Sequence, residues 1–169
     1  MRFFPLFVFI ASLVLVFVAF SFQHVLIQFK TLGLLGIFLI NFFASATVLI
    51  PAPGIVSVVA GGVVYPPLLV ALTSSLGSSL GEMVGFLVGA TGRELFIKKH
   101  KFWYNVVKDL FQMYAFIVIF IFALIPNPVF DVVGIIAGAL SYSPWKFFLA
   151  LFAGRLLRDI ILAFVGASL

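Results

Sequence analysis

Apolar residues run along this chain in long blocks, separated by short polar links and by proline pairs. Residues 3–22 form the first block, close to the ~20 residues that span a bilayer. Arg2 precedes it and no small-x-small cleavage site follows, so a retained N-terminal anchor helix is expected rather than a cleaved signal peptide. Residues 23–30 are a polar link, and residues 33–50 are apolar and run into Pro51-Ala52-Pro53-Gly54. Residues 55–64 return to Tyr65-Pro66-Pro67. A helix of that length rises only ~15 Å, about half the hydrocarbon thickness, which predicts a hairpin that dips in and comes back out.

Residues 68–90 are long enough to cross, with Gly77, Gly81, Gly85 and Gly89 at four-residue spacing and Glu82 beside that stripe. Glycines so placed let a second helix approach closely. Residues 92–112 are the strongly polar segment, with Arg93, Glu94, Lys98, Lys99, His100, Lys101, Lys108 and Asp109. Phe96, Ile97, Trp103, Val106, Val107, Leu110 and Phe111 give the same segment an apolar face, which predicts an amphipathic helix lying on the membrane surface. Residues 113–125 are a short apolar helix entering Pro126-Asn127-Pro128, and residues 129–140 return to Ser141-Tyr142-Ser143-Pro144. Residues 145–165 are the last crossing and carry Arg155, Arg158 and Asp159.

Proline lacks the backbone donor and clashes with the preceding helical turn. One proline in an apolar helix makes a kink, but a repeated Pro-x-Pro predicts a full break. Irregular backbone at membrane depth survives only against protein or water. Pro51, Pro53 and Gly54, and again Pro126, Asn127 and Pro128, are therefore expected at the tips of re-entrant loops, with Asp131 beside the second.

The two halves repeat. Pro51 and Pro53 recur as Pro126 and Pro128, and after a two-residue gap a constant offset relates Ala60-Gly61 to Ala137-Gly138, Tyr65 to Tyr142, Pro67 to Pro144, Gly77 to Gly154, Glu82 to Asp159 and Gly89-Ala90 to Gly166-Ala167. Each unit is one hairpin plus one crossing, so it crosses a net once. Two such units in tandem are inverted, the layout in which broken helices meet at a central site. The fold class expected is an all-α integral membrane protein. Its parts are an N-terminal helix and link over residues 1–30, repeat 1 over about 33–91, an amphipathic cytoplasmic loop over about 92–111, and repeat 2 over about 112–168.

Composition supports the membrane reading. The 169 residues are 64% hydrophobic and 9% charged, with a mean hydropathy of +1.34, where soluble domains carry about 25% charge. The net charge of +5 concentrates between Arg93 and Lys108, as the positive-inside rule expects of a cytoplasmic loop, and does not imply nucleic acid. That orientation also puts Arg2 and Lys146 inside and leaves Lys30 outside. There is no cysteine, so no disulfide or thiolate chemistry is available. No H-E-x-x-H, G-x-S-x-G or Walker-type loop is present, and no catalytic residue, metal site or cofactor is assigned.

Glu82, Asp131, Arg155, Arg158 and Asp159 fall inside apolar segments. Each costs about 2.5–3.5 kcal/mol near a bilayer centre, so they must pair or meet water. The spacing of Arg155, Arg158 and Asp159 puts them on one helix face. A buried cluster between the two tips is expected, lining a substrate or ion pathway. The plainer alternative is that these charges only glue helices together.

These residues resemble the DedA family, also called the VTT or SNARE-associated-Golgi domain family, over roughly residues 33–167. Gly77 to Glu82 with Gly89 and Gly92 is similar to its G-x-x-x-G-[DE] segment. Ile125-Pro126-Asn127-Pro128-Val129-Phe130-Asp131-Val132-Val133-Gly134 with Ala137-Gly138 is similar to the branch containing the vacuole membrane protein of autophagy. Pro144-Trp145 with Phe147-Phe148 and Gly154-Arg155 continues the likeness. The resemblance implies two facing re-entrant hairpins and movement of lipid between leaflets, as a scramblase or flippase without ATP. Arg155 and Arg158 would attract a phosphate, and Glu82, Asp131 and Asp159 would hold the arginines or bind an amine or a proton. The expected partners are membrane phospholipids or a lipid carrier, with protons and a second copy of the chain as further candidates, and no nucleic acid. The location implied is the plasma membrane of a prokaryote. A proton- or ion-coupled small-solute transporter and a non-transporting scaffold are the competing readings.

Overall fold

The computed structural model describes residues 32–46, 52–92, 101–125 and 130–169. These form six helices: α1 Leu34–Ala46, α2 Ala52–Val64, α3 Pro67–Thr91, α4 Lys101–Leu124, α5 Phe130–Ala139 and α6 Pro144–Ala167, with no strand among the described residues. The expected anchor at residues 3–22, and Pro51, Pro126, Asn127 and Pro128, lie outside the described residues.

Two elements differ from the sequence reading. Pro53 and Gly54 sit in the first turn of α2, so that helix starts earlier than residue 55. Proline is tolerated there because first-turn N–H groups have no helical partner to lose. The expected boundary near residue 112 is also missing. Lys101–Leu124 is one helix of 24 residues, and no glycine or proline within it would break it. The change from polar to apolar residues along it does not interrupt the helical backbone.

Local chemistry fixes the other ends. Pro67 and Pro144 each open a long helix at a first-turn position, after Pro66 and Ser143 in extended conformations. α5 ends on Ser141, at φ 58°. There Tyr142 N–H donates to the Ala137 carbonyl at 3.0 Å and Ser141 N–H to the Gly138 carbonyl at 3.0 Å. This is the Schellman pairing, with serine where glycine is usual.

α3 and α6 form the central pair. α1 packs along α3 and α4 along α6, while α2 packs on α6 and α5 on α3. Glycine permits the closest approaches. A β-carbon at Gly89 would overlap the Ile135 carbonyl of α5, and one at Gly166 would overlap the Val59 carbonyl of α2. The glycine stripe of α3 is divided between partners: Gly77 and Gly81 lie against the Phe38 and Phe42 carbonyls of α1, Gly89 lies against α5, and Gly85 is half-buried.

Two apolar clusters fill the interior. One holds Ile37, Val58, Val70 and Ala163. The other holds Phe86, Ile119, Phe147 and Leu151. The outward faces are apolar as well, with Leu68, Leu72, Leu76, Leu80, Leu87, Leu157 and Ile161 all exposed, while Ser74, Ser75, Ser78, Ser79, Glu82, Arg155 and Asp159 are buried. Water-soluble domains distribute these residue types the other way round. Hydrocarbon as solvent accounts for it, since polar groups there turn inward. α3 is long and apolar enough to cross a membrane. α6 has 24 residues but carries Arg155, Arg158 and Asp159 across its middle. Leu34–Ala46, and the stretches Pro53–Val64 of α2 and Met113–Leu124 of α4, are apolar but shorter.

Candidate functional site

Along α3 the buried face reads Val70, Ser74, Ser78, Glu82, Phe86, and along α6 it reads Leu151, Arg155, Asp159, Ala163. Both helices thus carry a polar band at mid-length with an apolar residue on either side. The helices run antiparallel, because Ser74 meets Asp159 while Glu82 meets Arg155. The bands therefore coincide, and the two apolar clusters close them off at opposite ends.

Within the band, the Arg155 Nη2 donates to Glu82 Oε1 at 2.5 Å, and its Nη1 donates to Ser45 Oγ at 2.7 Å. Ser45 lies in the last turn of α1, so one guanidinium ties three helices. Arg158 donates from Nε to Asp159 Oδ1 at 2.8 Å, and its Nη2 lies 2.8 Å from the same oxygen. Ser74 Oγ donates to the other oxygen, Oδ2, at 2.7 Å. The side chains of Glu82 and Asp159 are 3% and 0% exposed and those of Arg155 and Arg158 are 8% and 15%, so Arg158 is the most accessible member.

Four of the five charges expected to cluster are therefore together, but the pairing differs from the one that spacing suggests. Arg155 and Asp159 are four apart on α6, yet Arg155 turns to Glu82 on α3 and leaves Asp159 to Arg158. Asp131 lies in the first turn of α5, and its side chain is outside the described residues. One turn later on the same helix, a β-carbon at Gly134 would lie 3.7 Å from Glu82 Oε2, so α5 passes beside this acid.

Several contributors were not singled out from the sequence. Ser45 and Ser74 complete the two pairs. Ser75, Ser78 and Ser79 share the Glu82 face at helical spacing, which a helical plot of residues 68–90 would have revealed. Buried Asn41 joins α1 to α2 near the first break: its Nδ2 donates to Ile37 O at 2.8 Å and to Ser57 Oγ at 2.9 Å, and Ser57 Oγ donates to Gly54 O at 2.7 Å. Its only sequence signal is a lone amide in an apolar block.

Chemically, the band offers two guanidiniums that match a phosphate in geometry, two carboxylates that match a cation, and hydroxyls that serve as either donor or acceptor. No group of three or more metal-ligating side chains comes together among the described residues. The model of one known family, the VTT domain, matches residues 50–168. No curated protein and no solved structure matches the chain.

Proposed function

This chain belongs to the VTT-domain family, a family of membrane proteins, and on that premise we propose that it moves phospholipid or lipid-carrier headgroups between leaflets without ATP. One observation carries the reading: an arginine- and carboxylate-bearing band lies inside a bundle whose outer face is apolar. A headgroup could pass along such a band while its tails stay in lipid. On this reading the apolar clusters at either end close the band, and passage requires them to part in turn.

On this reading residues 33–91 and 112–168 are the two units of an inverted repeat, preceded by an anchor over residues 1–30. Its support is the exchange of partners. α2 packs on α6 and α5 on α3, with Gly166 against Val59 and Gly89 against Ile135. The clusters also correspond under the sequence repeat, Val70 with Phe147 and Ala163 with Phe86. On this reading Asp131 adds to the pathway of Glu82, Arg155, Arg158 and Asp159. On the same reading the basic residues 93–108 face the cytoplasm, an orientation supported by the charge distribution, and the membrane is taken to be the plasma membrane of a prokaryote.

The test is leaflet exchange. Purified chain in vesicles holding a fluorescent, acyl-labelled phospholipid should let a membrane-impermeant quencher reach more than the outer-leaflet signal. Asp131→Ala with Arg155→Ala should stop that exchange, and exchange that survives removes the assigned site. A second reading, a non-transporting scaffold, is favoured by the fact that Arg155, Arg158, Glu82 and Asp159 already have partners. It predicts that apolar replacement of the pairs leaves function intact.

A further inference from the structure

The closest helix contacts come in matched pairs. A β-carbon at Gly77 would overlap the Phe38 carbonyl and one at Gly154 the Phe120 carbonyl, so α1 lies on α3 as α4 lies on α6. Gly62 on the Ala163 carbonyl is matched by Gly138 on the Phe86 carbonyl, and Gly166 on Val59 by Gly89 on Ile135, so α2 lies on α6 as α5 lies on α3. Residues at equal steps from these contacts are equivalent: Asn41 with Ala123, Ser57 with Val133, Gly54 with Phe130, and Gly81 with Arg158. At each of these positions the first half has a residue that draws its helices together, and the second half does not.

We propose that the bundle opens unevenly: α4 and α5 part from each other, while α1 and α2 stay joined. Asn41 Nδ2 donates to Ser57 Oγ at 2.9 Å between α1 and α2, and both side chains are buried. In apolar surroundings no water replaces that bond when the helices separate, so they resist separation. Ala123 and Val133 carry no group that could form it, and both lie in the apolar cluster with Phe147.

Glycine makes the second difference. A β-carbon at Gly54 would lie 2.9 Å from Asn41 Oδ1, and one at Gly81 would overlap the Phe42 carbonyl, so both glycines let a neighbouring element sit close to α1. Phe130 and Arg158 occupy the equivalent positions. Arg158 is one turn beyond Gly154 on the face of α6 that meets α4, and its β-carbon keeps the last turn of α4 from closing as the last turn of α1 does. The packing agrees: α1 and α2 pack together, whereas α4 and α5 touch at few points among the described residues. On the headgroup-transport reading, the parting of α4 from α5 is the entrance to the polar band, and Arg158, the most accessible of the four paired charges, lies beside it.

The full chain has no cysteine of its own, so two spin-label pairs at equivalent exposed positions test this directly. Leu35→Cys with Ala60→Cys spans α1 and α2, and Ile117→Cys with Ile136→Cys spans α4 and α5. In lipid nanodiscs, dipolar coupling should give one narrow distance for the first pair and a second, longer distance for the other. Asn41→Leu should add a longer distance to the first pair as well. Two equally narrow distributions, or a first pair as broad as the second, overturn the uneven opening. A first pair left narrow by Asn41→Leu overturns the role given to the Asn41–Ser57 bond. A functional arm fastens α1 to α2 with Ala44→Cys and Gly54→Cys, whose β-carbons would lie 3.9 Å apart, within disulfide range. Leaflet exchange of an acyl-labelled phospholipid should continue at the wild-type rate after oxidation. Exchange lost on oxidation and restored by reductant shows that α1 and α2 must part, and overturns the proposal. A wild type that exchanges no lipid overturns transport alone, and the spin distances then decide the uneven opening.

Discussion

Arg155 on α6 reaches across the central helix pair to Glu82 on α3 at 2.5 Å, although Asp159 lies one turn away on its own helix. Because Arg155 also holds Ser45 on α1, removing it should loosen three helices at once.

Arg155→Ala leaves Glu82 buried without its counter-charge. Loss of one partner of a buried pair costs about 3–5 kcal/mol. Unfolding of the purified protein in detergent should show a loss of this size. Arg158→Ala should cost less, because Arg158 holds the acid beside it on its own helix, whereas Arg155 ties α6 to both α3 and α1. Equal losses at the two positions would contradict the assignment of Arg155 as the deeper tie.

Gly89→Ala and Gly166→Ala should destabilise alike. Each places a methyl on a carbonyl of a facing helix, Ile135 or Val59, and separating packed helices costs typically about 1–3 kcal/mol. Gly134→Ala is the control, since its nearest neighbour would lie at an ordinary 3.6 Å. It should be neutral or slightly stabilising, through the better helix propensity of alanine. Thermal midpoints of the three variants test the matched effect and the control together.

Ser141→Gly should stabilise. Ser141 holds φ 58° at the end of α5, a conformation that costs a β-carbon-bearing residue about 1 kcal/mol and glycine little. The melting midpoint should rise by a few degrees. A fall would show that the serine side chain contributes something that the Schellman turn does not explain.

The two tips should be reached from opposite sides. The chain contains no cysteine, so Ala52→Cys and Asn127→Cys each give a single reporter. In oriented membranes an impermeant maleimide should label one from the outer face and the other from the inner face. Labelling of both from one face would remove the inverted repeat.

What the sequence disclosed follows from what neighbours in sequence can decide. The glycine stripe announced close packing, and Gly77, Gly81 and Gly89 make it, but residue spacing could not say that α1 takes the first two and α5 the third. Glu82, Arg155, Arg158 and Asp159 had to be compensated in an apolar chain, and they are. Which acid each arginine takes depends on what packs opposite, and that is tertiary information. The joining of residues 101–124 into one helix was legible from the absence of any breaker, though a change in polarity suggested a boundary. The Asn41–Ser57 bond was not legible, because it depends on α1 and α2 folding face to face.

The most direct measurement replaces the central ion pair by apolar side chains. Arg155→Met with Glu82→Leu removes both charges together, and such exchanges often leave stability unchanged or improved. Folded variant and wild type are reconstituted side by side, and leaflet exchange of an acyl-labelled phospholipid is timed in each. The account predicts a well-folded variant with lipid exchange reduced to the protein-free rate. Exchange at the wild-type rate from that folded variant would contradict it and leave the pair as helix glue.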